Sequence, residues 1–228
     1  MKRLFLTFLT LCLISNPCWG SLEETEPLEE NFKRSAIVVG DGATLNRFHY
    51  GEVESTQKTA KQHSNQDQWT LVTADSQSKG YGLWGRPWKS PVGNAFSTFC
   101  IPLDIKHMCR ISWVPPLAGL AVADTLIGLG VSEDLVGLRW INNVLVSGEK
   151  VAGIIVEMDL HENIMMLRVG IGLNVDMTDK VLTSIDQPAT SFAQILKTPP
   201  SVDKVLSALA NKLKSRFVSL EKNVSPIN

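Results

Sequence analysis

Gly80-Tyr81-Gly82-Leu83-Trp84-Gly85-Arg86-Pro87-Trp88-Lys89-Ser90-Pro91 decides which nucleotide-binding fold is open to this chain, because its first six residues satisfy the spacing G-x-G-x-x-G. A dinucleotide fingerprint places that spacing directly after a strand and at the start of a helix, with an acidic residue about twenty positions on. Here Pro87 and Pro91 follow. Proline lacks the backbone N–H and clashes with the preceding turn, so no helix interior begins there and the Rossmann reading fails. The stretch reads instead as a loop. Its glycines let backbone N–H groups approach an anion, Lys79, Arg86 and Lys89 add positive charge, and Tyr81, Trp84 and Trp88 add aromatic walls. A plain surface loop is the competing reading of the same residues.

Outward from this loop, residues 36–39 and 47–53 read as short strands separated by the turn residues Gly40, Asp41 and Gly42. Residues 56–64 read as a helix with Ser55 as N-cap, 69–74 as a strand, and 75–93 as the loop itself. Residues 94–102 and 109–113 read as strands, and 116–129, apolar nearly all round, as a buried helix with Pro at its start and Gly130 at its end. A hairpin is expected from 136–140 and 144–146, turning at Ser147-Gly148 into a strand over 150–157, with a further strand over 164–175. Behind Pro200 and Ser201, the residues Val202, Leu206, Leu209, Leu213, Phe217 and Leu220 recur at spacings of three and four, the mark of an amphipathic helix. Strands in runs with helices between and after them predict an α+β domain built on a mixed β-sheet with flanking helices.

The 228 residues are 44% apolar and carry 22 basic against 23 acidic side chains, a net charge of −1. Such a balance lacks the basic face that counterion release requires, so no nucleic acid is expected as a partner. Residues 1–20 differ from the rest: Lys2 and Arg3 precede an apolar run over 4–14, then Asn16-Pro17 and the small residues Cys18 and Gly20. This is the layout of a secretory signal peptide, with an N-terminal extension as the alternative. The run is shorter than the about twenty apolar residues that span a bilayer, and no later segment approaches that length, so no integral membrane segment is expected in the mature chain. Residues 21–35, with Glu23, Glu24, Glu26, Glu29 and Glu30 around Pro27, read as an acidic linker. Cys100 and Cys109 lack the paired spacing of a zinc site and are expected to be buried thiols, and no metal ligands are assigned.

Five blocks and a short closing segment, in order, carry a resemblance. Glu52-Val53-Glu54-Ser55-Thr56-Gln57 and the segment from Ala74 through Gly93 are the first two. Leu138-Arg139-Trp140-Ile141-Asn142-Asn143 is similar to a KWPND segment, and Gly148-Glu149-Lys150-Val151-Ala152-Gly153-Ile154-Ile155-Val156-Glu157 to a KLAGIL-VE strand. Gly170-Ile171-Gly172-Leu173-Asn174-Val175 stands where G-I-G-I-N-V is expected, and Pro188-Ala189-Thr190-Ser191 precedes the closing helix. The set resembles the catalytic domain of biotin protein ligases, of the biotin/lipoate ligase fold, over residues 36–220. Residues 221–228 are then a C-terminal tail.

That resemblance implies two-step acyl transfer with ATP and biotin as substrates and Mg²⁺ as cofactor. Both reactants of the first step are anions, so the site must bring cations to them. By position, Ser55, Thr56, Gln77 and Gly80 would hold biotin, and Lys150 would hold its carboxylate and later the acyl phosphate. Gly80, Gly82, Gly85, Arg86, Trp88, Arg139, Asn142, Asn143 and Asn174 would surround the nucleotide, with Lys150 and Arg86 as the catalytic cations. The acceptor implied is the biotin carrier domain of a biotin-dependent carboxylase, and the family admits a homodimer. The enzyme class implies a cytoplasmic protein, the leader an exported one.

Where the family loop reads close to GRGRRG, its first two arginines are replaced here by Tyr81 and Leu83, leaving Arg86 and Lys79 to supply that charge. The Asp that ends KWPND is Asn143, Pro is Ile141 and Lys is Arg139. A catalytically weakened relative that binds biotin or a similar acyl ligand is therefore an alternative, and a lipoate or octanoate transferase a further one. The lengths before Ala36 and after Leu220 are also expected to leave no room for the DNA-binding helix-turn-helix or the small β-barrel found in some relatives.

Overall fold

A central mixed sheet organises the protein, and the computed structural model describes residues 31–40 and 42–221 of it. The leader, most of the linker and the tail lie outside the described residues. The strands are β1 (Phe32–Val39), β2 (Ala43–Val53), β3 (Thr70–Gln77), β4 (Ala95–Asp104), β5 (Val136–Arg139), β6 (Asn143–Val146), β7 (Glu149–His161) and β8 (Ile164–Leu173). They form an eight-stranded sheet in the order β1-β2-β3-β4-β8-β7-β6-β5. Only β2 and β3 run parallel, and α1 (Thr56–Thr59), continued by a 3₁₀ turn over Ala60–His63, connects them. The other helices are α2 (Val114–Gly128), α3 (Asp179–Leu182), α4 (Phe192–Ile195) and α5 (Val202–Glu221). The expected α+β mixed sheet with flanking helices is the fold observed.

The two-residue period of a strand sorts the sheet into two faces. On one face Phe99, Ile101 and Leu103 of β4 and Leu167, Val169 and Ile171 of β8 join Leu117, Ala121, Leu126, Leu206, Leu209, Leu213 and Phe217 in a single core under α2 and α5. A paired Arg216 and Asp124, 2.8 and 3.0 Å apart, ties α5 to α2. Phe217 is buried and meets Trp69 edge-to-face, with ring centroids 5.4 Å apart. Phe217→Ala is expected to destabilise the chain by about 3–5 kcal/mol, read as a lower midpoint in urea with an unchanged slope. The alternate residues Phe96 and Thr98 of β4, Gly170 and Gly172 of β8, and Gly153 and Ile155 of β7 look the other way. That second face carries α1 and is where the functional site lies.

Several expectations change. β1 begins at Phe32, four residues before the expected 36, so the end of the supposed linker is sheet, and the compact unit begins there as well. Residues 109–113 form no strand: Ile105–Trp113 is a 3₁₀ helix capped by Asp104, whose side chain accepts from the Lys106 N–H at 2.9 Å. α2 starts at Val114, with prolines in its first turn, where a missing N–H costs nothing. Cys100 is buried as expected, but Cys109 is exposed, and both are free. By length and composition alone the helical run Ile105–Gly128 would suffice to cross a bilayer, against the expectation that no later segment approaches that length. Its buried residues, Val114, Leu117, Ala118 and Ala121 among them, belong to the core under the sheet.

Candidate functional site

A cleft of about 700 Å³ opens on the α1 face of the sheet. Its floor exists because of glycines. Gly153 of β7 and Gly172 of β8 are directly paired across the ladder, and the Trp88 ring lies on their backbones. A Cβ at Gly172 would stand 2.6 Å from Trp88 Nε1, and one at Gly153 2.8 Å from Trp88 Cζ3. Gly170 makes the same room for Gln57, whose Oε1 would be 2.7 Å from a Cβ there. Two glycines two residues apart on one strand thus leave one face bare for side chains arriving from elsewhere.

The polar wall grows from the N-terminus of α1. Ser55 caps it, accepting from the Gln57 N–H. Gln77, at the end of β3, accepts from the Thr56 N–H at 2.8 Å and donates to Ser90 Oγ at 2.9 Å, which joins the start of α1 to the far end of the loop. Buried Thr98 lies 3.0 Å from both Thr56 Oγ1 and Gln57 Oε1. Gln57 Nε2 in turn donates to the Arg168 carbonyl at 2.9 Å. These bonds tie Ser55, Thr56 and Gln77 together in the wall of the cleft.

Cations share the cleft. Lys150, Arg86, Arg139 and Lys89 all line the cleft. Lys150 is held at its backbone, donating to the Pro188 carbonyl at 2.9 Å and accepting from the Thr190 N–H at 3.0 Å. Its Nζ stands 5.0 Å from the Trp88 ring centroid, a cation–π distance. Burial, then the neighbouring Arg139 and Arg86, push its pKa below the ordinary lysine value, with Asp186 opposing weakly. A cation placed where its charged form is disfavoured is relieved when an anion arrives. Two further polar atoms wait for partners: Trp88 Nε1 and Asn174 Oδ1 are buried without a hydrogen bond. Each costs about 1–3 kcal/mol unless a ligand completes it.

Of the residues expected from sequence, Ser55, Thr56, Gln77, Gly82, Arg86, Trp88, Arg139, Asn142, Asn143, Lys150 and Asn174 line one cleft. Asn142 donates to the Ile154 carbonyl at 3.0 Å and accepts from Asn143, so this pair locks the β5–β6 turn against β7. Gly80 and Gly85 do not line it. Gly80 sits at the neck of the loop, where a Cβ would meet Ser90 Oγ at 2.6 Å, and Gly85 has a φ of +70° facing open space. Lys79, expected to replace a missing arginine, is paired with Glu54 outside the cleft. Tyr81, Trp84 and Trp88 all line the cleft as expected; Trp84 is 85% exposed and Tyr81 bonds to Glu157, while the Trp88 ring packs against the floor glycines. Gln57, Thr98 and the floor glycines were missed. The G-x-G spacing at Gly170 and Gly172 was the available signal; nothing local marks a buried glutamine. Among the described residues no three His, Cys, Asp or Glu cluster, and the one described carboxylate lining the cleft is Asp186; a Mg²⁺ carried by nucleotide phosphates needs no more than one or two carboxylates beside them.

The chain is similar to known proteins in sequence and in fold. The model of the biotin/lipoate A/B protein ligase family matches residues 50–174. The bifunctional ligase/repressor BirA of Bacillus spizizenii is 31% identical over 186 residues, 80% of this chain and 54% of that protein. A biotin--[acetyl-CoA-carboxylase] ligase of Mycobacterium tuberculosis is 29% identical over 161 residues, 68% of this chain and 56% of that one. The chain thus spans about half the length of these relatives. Among solved structures, a biotin protein ligase from Aquifex aeolicus in complex with biotin and ATP superposes with a TM-score of 0.64 at 26% identity, covering 78% of this chain and 72% of that one. The Leishmania major biotin protein ligase with biotinyl-5-AMP, at 21% identity and a TM-score of 0.60, shares the fold.

Proposed function

Because the chain belongs to the biotin/lipoate A/B protein ligase family, we propose that it activates biotin with ATP and transfers the biotinyl group to a lysine in the biotin carrier domain of a carboxylase. In the first step a biotin carboxylate oxygen attacks the α-phosphorus of ATP and pyrophosphate leaves. In the second, the acceptor ε-amine attacks the acyl carbon of biotinyl-AMP, the C–O bond to phosphate breaks, and AMP departs as the amine loses its proton. The observation that carries this reading is a single cleft lined both by the cations Lys150, Arg86 and Arg139 and by the polar residues Ser55, Thr56 and Gln77. A ureido ring needs donors and acceptors, and a carboxylate meeting a phosphate needs cations. The cleft lining supplies both. Asn174 Oδ1 and Trp88 Nε1, of residues that line the cleft, are buried without partners. Residues 32–221 are the catalytic domain in this reading, and no step is routed through a metal.

Biotin binding without efficient ligation is the second reading, favoured by one observation: Tyr81 bonds to Glu157 and Leu83 carries no charge, so neither serves a phosphate. Biotin-dependent exchange of labelled pyrophosphate into ATP by the full chain distinguishes them. Exchange supports the ligase; biotin binding by calorimetry with no exchange supports the second reading and overturns the first. Leu83 lines the cleft and is 37% exposed, so an arginine has room. Leu83→Arg is expected to slow release of the adenylate roughly tenfold, about one charge-assisted bond, measured by dissociation of labelled biotinyl-AMP. An unchanged rate would mean that Arg86 and Arg139 already fill that role.

A further inference from the structure

Where the family pattern has an arginine, Tyr81 does something that the ligand chemistry does not require. Its hydroxyl donates to Glu157 Oε1 of β7 at 2.9 Å. The other oxygen of Glu157, Oε2, is 3.3 Å from Arg168 Nη2, and Arg168, only 3% exposed at its side chain, is also paired with Asp159. The anchor is therefore fixed from behind. At the loop's own neck Tyr81 pairs with Pro87, the Trp88 N–H donates to the Gly80 carbonyl at 2.9 Å, and the Gly82 N–H donates to the Arg86 carbonyl at 2.8 Å. Two points of attachment, neck and hydroxyl, hold the segment that carries Arg86 and Trp88.

We propose that Tyr81 is a positioning residue, a latch that fastens the 80–88 segment to Glu157 in the ligand-free protein so that the cleft wall is ordered before anything enters it. Burial, and then the Glu157 carboxylate, push the Tyr81 hydroxyl up to about 12, so it remains a donor across the neutral range. The latch does not depend on what the cleft binds; its effect on biotin rests on the ligase reading.

Native-state hydrogen exchange on the ligand-free full chain tests it, following the Gly82 and Trp88 amides with β4 and β8 amides as the internal control for folding. Tyr81→Phe keeps the ring and removes the bond. Both loop amides are expected to exchange roughly tenfold faster or more, with β4 and β8 unchanged. Glu157→Ala also removes the Arg168 pair, so it should free the loop amides at least as much, and the double variant should exchange no faster than Glu157→Ala, because the Tyr81 hydroxyl then has no bond left to lose. Glu157→Gln retains an acceptor and should restore most of the protection. Unchanged loop exchange in Tyr81→Phe, or additive effects in the double variant, would overturn the latch. In the biotin arm, Tyr81→Phe should weaken affinity by the factor by which it depopulates the ordered loop. A wild-type chain that binds no biotin would sink the ligase reading while leaving the exchange experiment to decide the latch.

Discussion

Lys150→Met will lower biotin-dependent pyrophosphate exchange by ~10²-fold without weakening the fold. The side chain stands among Arg86 and Arg139, with its charged form disfavoured by burial, and methionine keeps the aliphatic contact with Trp88 while removing the charge. In the ligand-free chain that charge is a burden on stability. A lysine whose folded pKa lies below its unfolded one costs stability while protonated in both states, and the cost fades as pH rises through the folded value. The variant should therefore unfold at the same urea concentration as the wild type or a higher one. A variant that loses exchange together with a large drop in midpoint would show Lys150 to be structural. The pH dependence has the same origin with the opposite sense. Carboxylate binding needs the ammonium form, so biotin affinity falls as pH rises through a lysine pKa shifted below 10.5. Lys150→Arg does not titrate there and should flatten that alkaline limb.

Gly172→Ala is the second large effect. The added Cβ would be 2.6 Å from both Cε2 and Nε1 of Trp88, a separation that no real contact reaches. Alanine fits a strand, so β8 keeps its register and the rigid indole must leave the floor. Lys150, which lies against that ring, loses its support. A displacement of this kind is expected to cost about 10²-fold in biotin affinity, measured by calorimetry beside an unfolding curve that stays near wild type. Gly153→Ala should act in the same direction from the neighbouring strand, since its Cβ would meet the ring at 2.8 Å. Biotin binding by Gly172→Ala at wild-type strength would show that Trp88 is no part of the site.

Much of the fold was legible where local physics and periodicity agree. The three-and-four spacing from Val202 to Phe217 produced α5, and the all-round apolarity of α2 matched its burial under the sheet. The stretch 109–113 failed because a short alternation of apolar and polar residues cannot be told from a 3₁₀ turn, whereas the Asp104 cap settles the matter locally. At the site, ordered motifs found Lys150, Gln77, Asn142 and Asn174. They erred where a side chain has a choice of partners: Lys79 prefers Glu54.

The sequence by itself determined the family, the α+β mixture and the residue types that bring positive charge and hydrogen bonds to a glycine-rich loop, because block order and periodicity are properties of the chain. Only the tertiary structure decided which of those residues share one cleft. Strands β3, β4, β7 and β8 bring together positions up to about a hundred residues apart, and which side chains then face each other depends on register and on where glycines leave space. Neither distance is written in the order of residues. That is why Gly170 and Gly172, the barest residues of the site, proved to set its floor.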